Sequence, residues 1–435
     1  MISTSELKAR PLYLDKLIAF RDTEPVKVIT GIRRCGKSSL MKLMMEHLRS
    51  TGTEESQIIY MNFESYAFAS FSSDDFYAYV RSRIKHGLRM YLFFDEVQRI
   101  ARWENAVNAF RVDFDCDIYI TGSNSYLLSS EYSTYLAGRC VEIKMLPLSF
   151  AEFISFNGLE VIDEKDAFGQ CRKKAKDGKG IEYNMGEVFQ QYMRYGGMPG
   201  VSGVGLDQEK AIMILDGIYS SVVVRDILER ENRKGQKQVS DPVLLRKIIM
   251  FLSGNIGSSV SLSSIGNVLK DEGLIEDRKI PSAHTVQSYA NALTESFLFY
   301  EIKRFDLKGR DYLRTNGKYY IADLGLRNYL LGYRDRDRGH SIENIVYLEL
   351  LRRDYDPAIG KIGNSEIDFV AEKSGERIYI QVCESLQSED VAKRELSPLR
   401  MVNDSYDKIV LSLDRPASSS YDGIKPINLI SWLLN

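Results

Sequence analysis

Short apolar runs that end in glycine or in acids alternate along this chain with stretches whose apolar residues recur every three to four positions. Residues 26–31 read VKVITG, a β-branched strand running into glycine. Residues 37–49 follow as KSSLMKLMMEHLR, where Leu40, Leu43, Met44 and Leu48 keep helical spacing. The runs at 58–63 (IIYMNF), 91–96 (YLFFDE) and 116–122 (CDIYITG) have the same strand character. Between them, DDFYAYVRSRI and ENAVNAFRVDF have helical character. Strands alternating with helices predict a parallel sheet with helices on both faces.

VEIKMLPLSFAEFISF (141–156) predicts a last strand, a turn and the start of a helix, closing a first domain at 1–157. Residues 159–185 are polar and glycine-bearing, which predicts a surface insertion. EVFQQYMRYGGMPG and KAIMILDGIYSSVVVRDILER predict a helical pair able to act as a lid, so 158–238 reads as insertion plus helical lid. Residues 239–338 hold three predicted helices. KGRDYLRTNGKYYIAD after them reads as a hairpin turning at Asn-Gly, which together make a winged helix. Residues 339–435 open with the apolar helix SIENIVYLELLRRDY and continue in strands, a third α/β unit.

Composition changes this picture little. The 435 residues exceed what one core usually supports, in keeping with several domains. The net charge of −2 argues against a wholly basic nucleic-acid binder but not against a local basic patch. Five cysteines without a C-x-x-C pair, and four scattered histidines, argue against a disulfide framework or a zinc site and fit a reducing compartment. No apolar leader and no run of about 18 apolar residues is present, so a cytoplasmic location without a membrane span is expected.

The chemistry concentrates in residues 31–39, GIRRCGKSS, which fit G-x-x-x-x-G-K-[ST] between a strand and a helix. Gly31 and Gly36 let the backbone turn tightly, so that the amides of Ile32, Arg33, Arg34, Cys35, Gly36, Lys37, Ser38 and Ser39 can surround phosphate oxygens. Lys37 places a point charge on the β- and γ-phosphates, and Ser38 offers a hydroxyl to Mg²⁺. The helix that follows turns its positive end to the anion. Arg33 and Arg34 either meet phosphate or a neighbouring subunit, or are simply solvated.

Asp95 and Glu96 end an apolar strand, where two carboxylates are costly unless they serve a cation or a water. Asp95 is expected to hold Mg²⁺ and Glu96 to take a proton from the attacking water. ITGSNS (120–125) puts Ser123 and Asn124 at the next strand end, as a γ-phosphate sensor or as a helix cap. Arg139, between a helix and a strand, is either a surface arginine or a finger reaching the γ-phosphate of an adjacent subunit.

GIRRCGKSSLM, LFFDEVQ, ITGSNS, LAGR, LPLSFAEF, YGGMPGV and EIDFVAEK, in this order, resemble the AAA+ ATPases. The resemblance is to the prokaryotic group with an N-terminal AAA-type domain and a C-terminal region called DUF4143. It covers nearly the whole chain. It implies ATP binding and hydrolysis, with the Walker A lysine at Lys37, Walker B carboxylates at Asp95 and Glu96, the sensor at Ser123 or Asn124, and Arg139 as the finger.

The winged-helix reading makes DNA the expected partner. SAHTVQSYANAL would be the recognition helix, with Ser282, His284, Thr285, Gln287 and Ser288 as contacts. Lys303, Arg304, Lys308, Arg310 and Arg314 would meet phosphates. The other reading is a nucleotide-regulated switch that docks a protein, as a homo-oligomer or with another chain. The tail resembles the restriction-endonuclease-like fold with its PD-(D/E)XK motif. Glu343 and Asp368 match its first two acids. Gln381 and Cys383 replace the acid and lysine of E-x-K, which implies an inactive nuclease fold.

Overall fold

The computed structural model describes residues 7–123, 138–165, 171–228, 239–271, 280–307, 309, 311–334, 337–414 and 418–435. The chain forms two compact units, Met1–Met145 with the short segment Glu295–Phe297, and the remainder.

The first unit contains helices α1 (Pro11–Ala19), α2 (Lys37–Ser50), α3 (Ser73–Arg81) and α4 (Trp103–Asp113). Its strands are β1 (Val26–Thr30), β2 (Ile58–Asn62), β3 (Met90–Asp95), β4 (Cys116–Gly122) and β5 (Cys140–Lys144). All pair in parallel, in the order β2-β3-β4-β1-β5. The expected parallel sheet is therefore present. β1 and β3 are buried at every position, as strands covered on both faces must be, which is why they read as unbroken apolar runs. Phe63, Phe76, Phe94 and Phe110 pack in one core cluster, with Phe76 edge-on to the other three at 4.7–5.1 Å. Ser72 and Asp75 cap α3 reciprocally.

The first unit ends at Met145, ahead of the expected boundary at 157. The reason lies in LPLSF: Leu148 N–H donates to Gly197 O at 2.7 Å, Tyr192 OH donates to Leu148 O at 2.9 Å, and Phe150 packs edge-on against Phe189. These residues and α5 (Phe150–Phe156) belong to the second unit.

The segment expected as a polar insertion is an antiparallel meander, β6 (Leu159–Lys165), β7 (Cys171–Asp177) and β8 (Glu182–Asn184). Helices α6 (Met185–Tyr195), α7 (Pro199–Ser202) and α8 (Gln208–Ser221) follow. Then come the three expected helices, α9 (Pro242–Gly254), α10 (Leu262–Asp271) and α11 (Ala283–Glu295).

The expected hairpin is β9 (Phe299–Asp306) with β10 (Asp311–Ile321), but it does not turn at Asn-Gly. The chain reverses between Asp306 and Asp311, where Asp306 Oδ1 accepts from Gly309 N–H at 3.2 Å. Asn316 and Gly317 lie inside β10, at a register shift between Leu313 and Lys318. A Cβ on Gly317 would come 2.8 Å from Ile302 O, so glycine here serves a close backbone approach rather than a reversal.

This hairpin is continuous with the tail. β11 (Asp356–Ile362), β12 (Ser365–Lys373), β13 (Glu376–Val382), β14 (Asp407–Ser412) and β15 (Lys425–Asn428) join it in one seven-stranded mixed sheet, ordered β10-β9-β11-β12-β13-β14-β15. Helices α12 (Leu324–Leu331), α13 (Arg338–Arg352), α14 (Glu389–Arg400) and α15 (Leu429–Leu434) accompany these strands. The strands on either side of residue 338 thus share hydrogen bonds, β9 pairing in parallel with β11. Tyr320 of β10 stacks on Tyr347 of α13 at 4.4 Å.

Asp323 ties two distant segments together, 195–198 and its own stretch 323–326. Its carboxylate accepts from Gly197 N–H at 2.6 Å and Leu326 N–H at 3.0 Å. A Cβ on Gly196 would come 2.4 Å from Asp323 Oδ1, and one on Gly325 would come 2.2 Å from Tyr195 O. This packing explains the YGGMPG stretch: a side chain would hold the segments apart.

Among the described residues, Cys35, Cys116, Cys140 and Cys383 are free thiols, and no helix is long and apolar enough to cross a membrane.

Candidate functional site

The carboxyl ends of β1, β3 and β4 carry the candidate chemistry, the edge at which open α/β sheets bind ligands. β4 lies between the other two. Its last residues therefore stand between the loop after Thr30 and the acids after Phe94.

After β1 the backbone turns through Gly31 at φ +143°, Arg34 at +64° and Gly36 at +110°. A Cβ on Gly31 would sit 2.1 Å from Met145 O, so the loop closes only with glycine there. Ile32 and Cys35 are fully buried and anchor the loop, and Cys35 O accepts from Arg10 Nη1 at 3.0 Å. Lys37 opens α2 and is only 5% exposed. Its ammonium donates to Gly31 O at 2.9 Å and Ile32 O at 3.2 Å. No described carboxylate pairs with it. Ser38 is half-buried and Ser39 exposed in the same first turn. Arg33 pairs with Glu64, which also pairs with Arg99, while Arg34 is exposed.

Asp95 is 1% exposed and doubly held. Its Oδ1 accepts from Thr121 Oγ1 at 2.5 Å and its Oδ2 from Tyr60 OH at 3.0 Å. Burial, together with the neighbouring Asp95 charge, holds the Tyr60 phenol above its ordinary pKa, so it stays a donor. Glu96 has φ +56°, which an L side chain rarely adopts, and its N–H donates to Thr121 Oγ1 at 2.9 Å. Glu96 Oε2 accepts from Gln98 Nε2 at 2.6 Å and from Ser123 Oγ at 3.4 Å.

Ser123 is thus brought to Glu96, whereas Asn124 lies outside the described residues. Arg139 is exposed and immediately precedes β5; its carbonyl accepts from Val26 N–H at 2.9 Å. It stands at the amino edge of the sheet, a strand length (roughly 15 Å) from the phosphate loop of the same chain. Thr121, Tyr60 and Gln98 are additions to the residues expected from sequence. The alternation along CDIYITG carries a signal for Thr121, a hydroxyl where an apolar residue would serve packing alone.

In the second unit, Ser282, His284 and Gln287 are exposed at the start of α11. Ser282 Oγ lies 2.9 Å from Thr285 Oγ1, and Ser288 Oγ donates to His284 O at 3.0 Å. Lys303 is exposed, but Arg304 is turned to Glu366 at 3.6 Å. Lys308 and Arg310 lie outside the described residues, as does the side chain of Arg314.

Glu343 and Asp368 are drawn together around a residue that sequence reasoning missed. Lys318 Nζ lies 3.0 Å from Glu343 Oε1 and 2.7 Å from Glu366 Oε1, and Tyr320 OH donates to Glu343 Oε1 at 2.6 Å. Burial works against the Lys318 charge, yet Glu343, Asp368 and Glu366 hold its pKa above the ordinary lysine value. Burial and the adjacent Glu343 push Asp368 well above the carboxylate range. Gln381 donates to Glu395 Oε2 at 2.9 Å, and burial pushes the Cys383 thiol up to about 12. Among the described residues, no group of three or more His, Cys, Asp or Glu side chains is arranged to hold a metal ion.

Residues 23–154 match a family described as an AAA domain. Residues 186–337 match a domain of unknown function, DUF8612, where the sequence resemblance had pointed to DUF4143. An uncharacterized protein of Haemophilus influenzae is 37% identical over 429 residues, 98% of each chain. One from Methanocaldococcus jannaschii is 28% identical over 396 residues, covering 89% of this chain and 79% of that one. Among solved structures, a Walker-type ATPase of Pyrococcus abyssi aligns with a TM-score of 0.45 at 16% identity, over 74% of this chain and 95% of that one.

Proposed function

We propose, from the premise that this chain belongs to one family with the Haemophilus influenzae protein and has an AAA-type P-loop domain, that it binds and hydrolyses ATP with Mg²⁺. One observation carries this reading: the Lys37 ammonium is buried on neutral loop carbonyls, at the amino end of α2, with no described carboxylate to neutralise it. A buried cation without an anion is costly, and a triphosphate supplies the anion.

The donor set suits Mg²⁺, which is usually bound by one or two carboxylates together with substrate phosphates. Asp95 and the Ser38 hydroxyl would hold it, and it would neutralise charge on the β- and γ-phosphate oxygens. Glu96 accepts the proton of the attacking water, and Ser123 helps to fix that carboxylate. Arg139, a strand length from its own loop, acts only if a neighbouring subunit presents it, which makes a homo-oligomer the assembly this reading requires.

The three helices and the hairpin within 239–338 form the proposed winged helix, and the exposed Ser282, His284 and Gln287 make α11 the element offered to DNA. One observation favours the second reading, a nucleotide-tuned protein-docking switch: Arg304 of the basic hairpin faces Glu366 rather than solvent. The tail is proposed as an inactive nuclease-like fold, since Gln381 is engaged with Glu395 and Lys318 is engaged by two carboxylates.

ATP titration and turnover test the proposal. Lys37→Ala should weaken MgATP binding about tenfold to a hundredfold, the loss of one charge-assisted contact. Glu96→Gln should keep binding and stop hydrolysis; unchanged turnover would remove Glu96 from its role. Stimulation of the ATPase by duplex DNA would support the DNA reading, and stimulation by none of duplex, single-stranded DNA or RNA would favour the docking switch.

A further inference from the structure

We infer that Gln98 positions the water that attacks ATP, acting as the partner of Glu96; this rests on the ATPase reading above. Gln98 lies in a short turn, Val97–Arg99, directly after the acidic pair. The side chain folds back so that Nε2 meets Glu96 Oε2 at 2.6 Å. Only the amide NH₂ can face a carboxylate, because the amide oxygen would meet like charge. That fixes Oε1 on the other side of the amide.

Gln98 Oε1 is buried and accepts no hydrogen bond from any described residue. Such an orphaned carbonyl costs about 1–3 kcal/mol, and native proteins keep few of them without a use. The atom needs a small donor, and it stands on a side chain already fastened to the base. Water meets the requirement: one hydrogen goes to Gln98 Oε1 and the other to Glu96. Because Gln98 and Ser123 both donate to Glu96 Oε2, the second carboxylate oxygen is left for the proton.

The step then balances. The water oxygen forms a bond to the γ-phosphorus, and the bond from that phosphorus to the β–γ bridging oxygen breaks. ADP leaves with the electron pair, and the water proton passes to Glu96 and on to solvent. Gln98 gains and loses no proton; it aims the lone pair of the water.

The test is single-turnover and steady-state hydrolysis of MgATP by the full chain, the variants Gln98→Ala and Gln98→Met, and the pair Glu96→Gln with Glu96→Gln/Gln98→Met. Methionine preserves volume without an amide. Both single variants should lose about tenfold to a hundredfold in kcat, with KM and MgATP affinity within about threefold of the parent. The double variant should be no slower than Glu96→Gln alone, because the two residues act on one water. A Gln98→Met chain that turns over at the parental rate or faster overturns the inference. So does loss of MgATP binding in both single variants, which would make Gln98 a structural residue. If instead the unaltered chain neither binds nor hydrolyses MgATP, the ATPase reading itself falls.

Discussion

Thr121 and Asp95 share a hydrogen bond of 2.5 Å, and the same hydroxyl accepts the Glu96 N–H at 2.9 Å. One side chain from β4 therefore holds both Asp95, the last residue of β3, and Glu96 just after it, whose backbone sits at φ +56°. Thr121→Val should keep the shape of β4 while leaving a buried carboxylate and a buried N–H without that partner. The expected result is about 1–3 kcal/mol lost from unfolding stability and about tenfold from kcat, with nucleotide affinity little changed. Urea unfolding and MgATP kinetics check this, and Thr121→Ser should restore most of both.

Lys318 and Glu343 form a buried ion pair in which each charge makes the other tolerable. Burial opposes ionisation of Glu343, yet its contacts with His340, Lys318 and Tyr320 bring its pKa below the ordinary value. Lys318→Met should cost about 3–5 kcal/mol, because carboxylates stay behind without their cation. Glu343→Gln in the Lys318→Met background should cost less than it does alone. The coupling from this double-mutant cycle is expected at about 1–3 kcal/mol by chemical denaturation.

Asp323 gives a pH-dependent signature. Burial raises its pKa from 3.8 to about 6, against the opposing N–H donors of Gly197, Leu326, Gly325 and Met198. A carboxyl that binds its proton more tightly when folded stabilises the fold below about pH 4, and that contribution fades as pH rises through 6. Asp323→Asn removes the titration. The stability lost on this substitution should be larger at pH 4 than at pH 7, by up to about 3 kcal/mol. Paired urea titrations at the two pH values measure the difference and cancel groups common to both chains.

Much of the candidate phosphate site is readable in the sequence because its logic is local. VKVIT followed by GIRRCGKSS fixes strand, loop and helix within one short stretch, and β3 announces the acidic pair by ending an apolar run. Thr121 is harder to recognise, since its role depends on β4 lying between β1 and β3, which is a property of the sheet order rather than of any window. Gln98 belongs to LFFDEVQ, yet its contact with Glu96 arises only in the folded turn Val97–Arg99.

The back half shows the opposite balance. Three helices and a hairpin are legible, but Lys318 reads as one more charge in a basic stretch. It is buried because β9 pairs with β11, some fifty residues further on, and carries β10 into the tail's sheet. The Asn-Gly pair misleads for a related reason: a dipeptide that suits a reversal also suits a register shift where two backbones meet closely.

Through that β9–β11 seam, cross-strand hydrogen bonding runs without interruption from β10 to β15. A pull on the hairpin is therefore borne by ladder bonds rather than by a slack tether. Proteolysis or truncation placed between residues 339 and 355 would leave a raw strand edge on each fragment, so the two portions should be produced as a single piece to remain soluble.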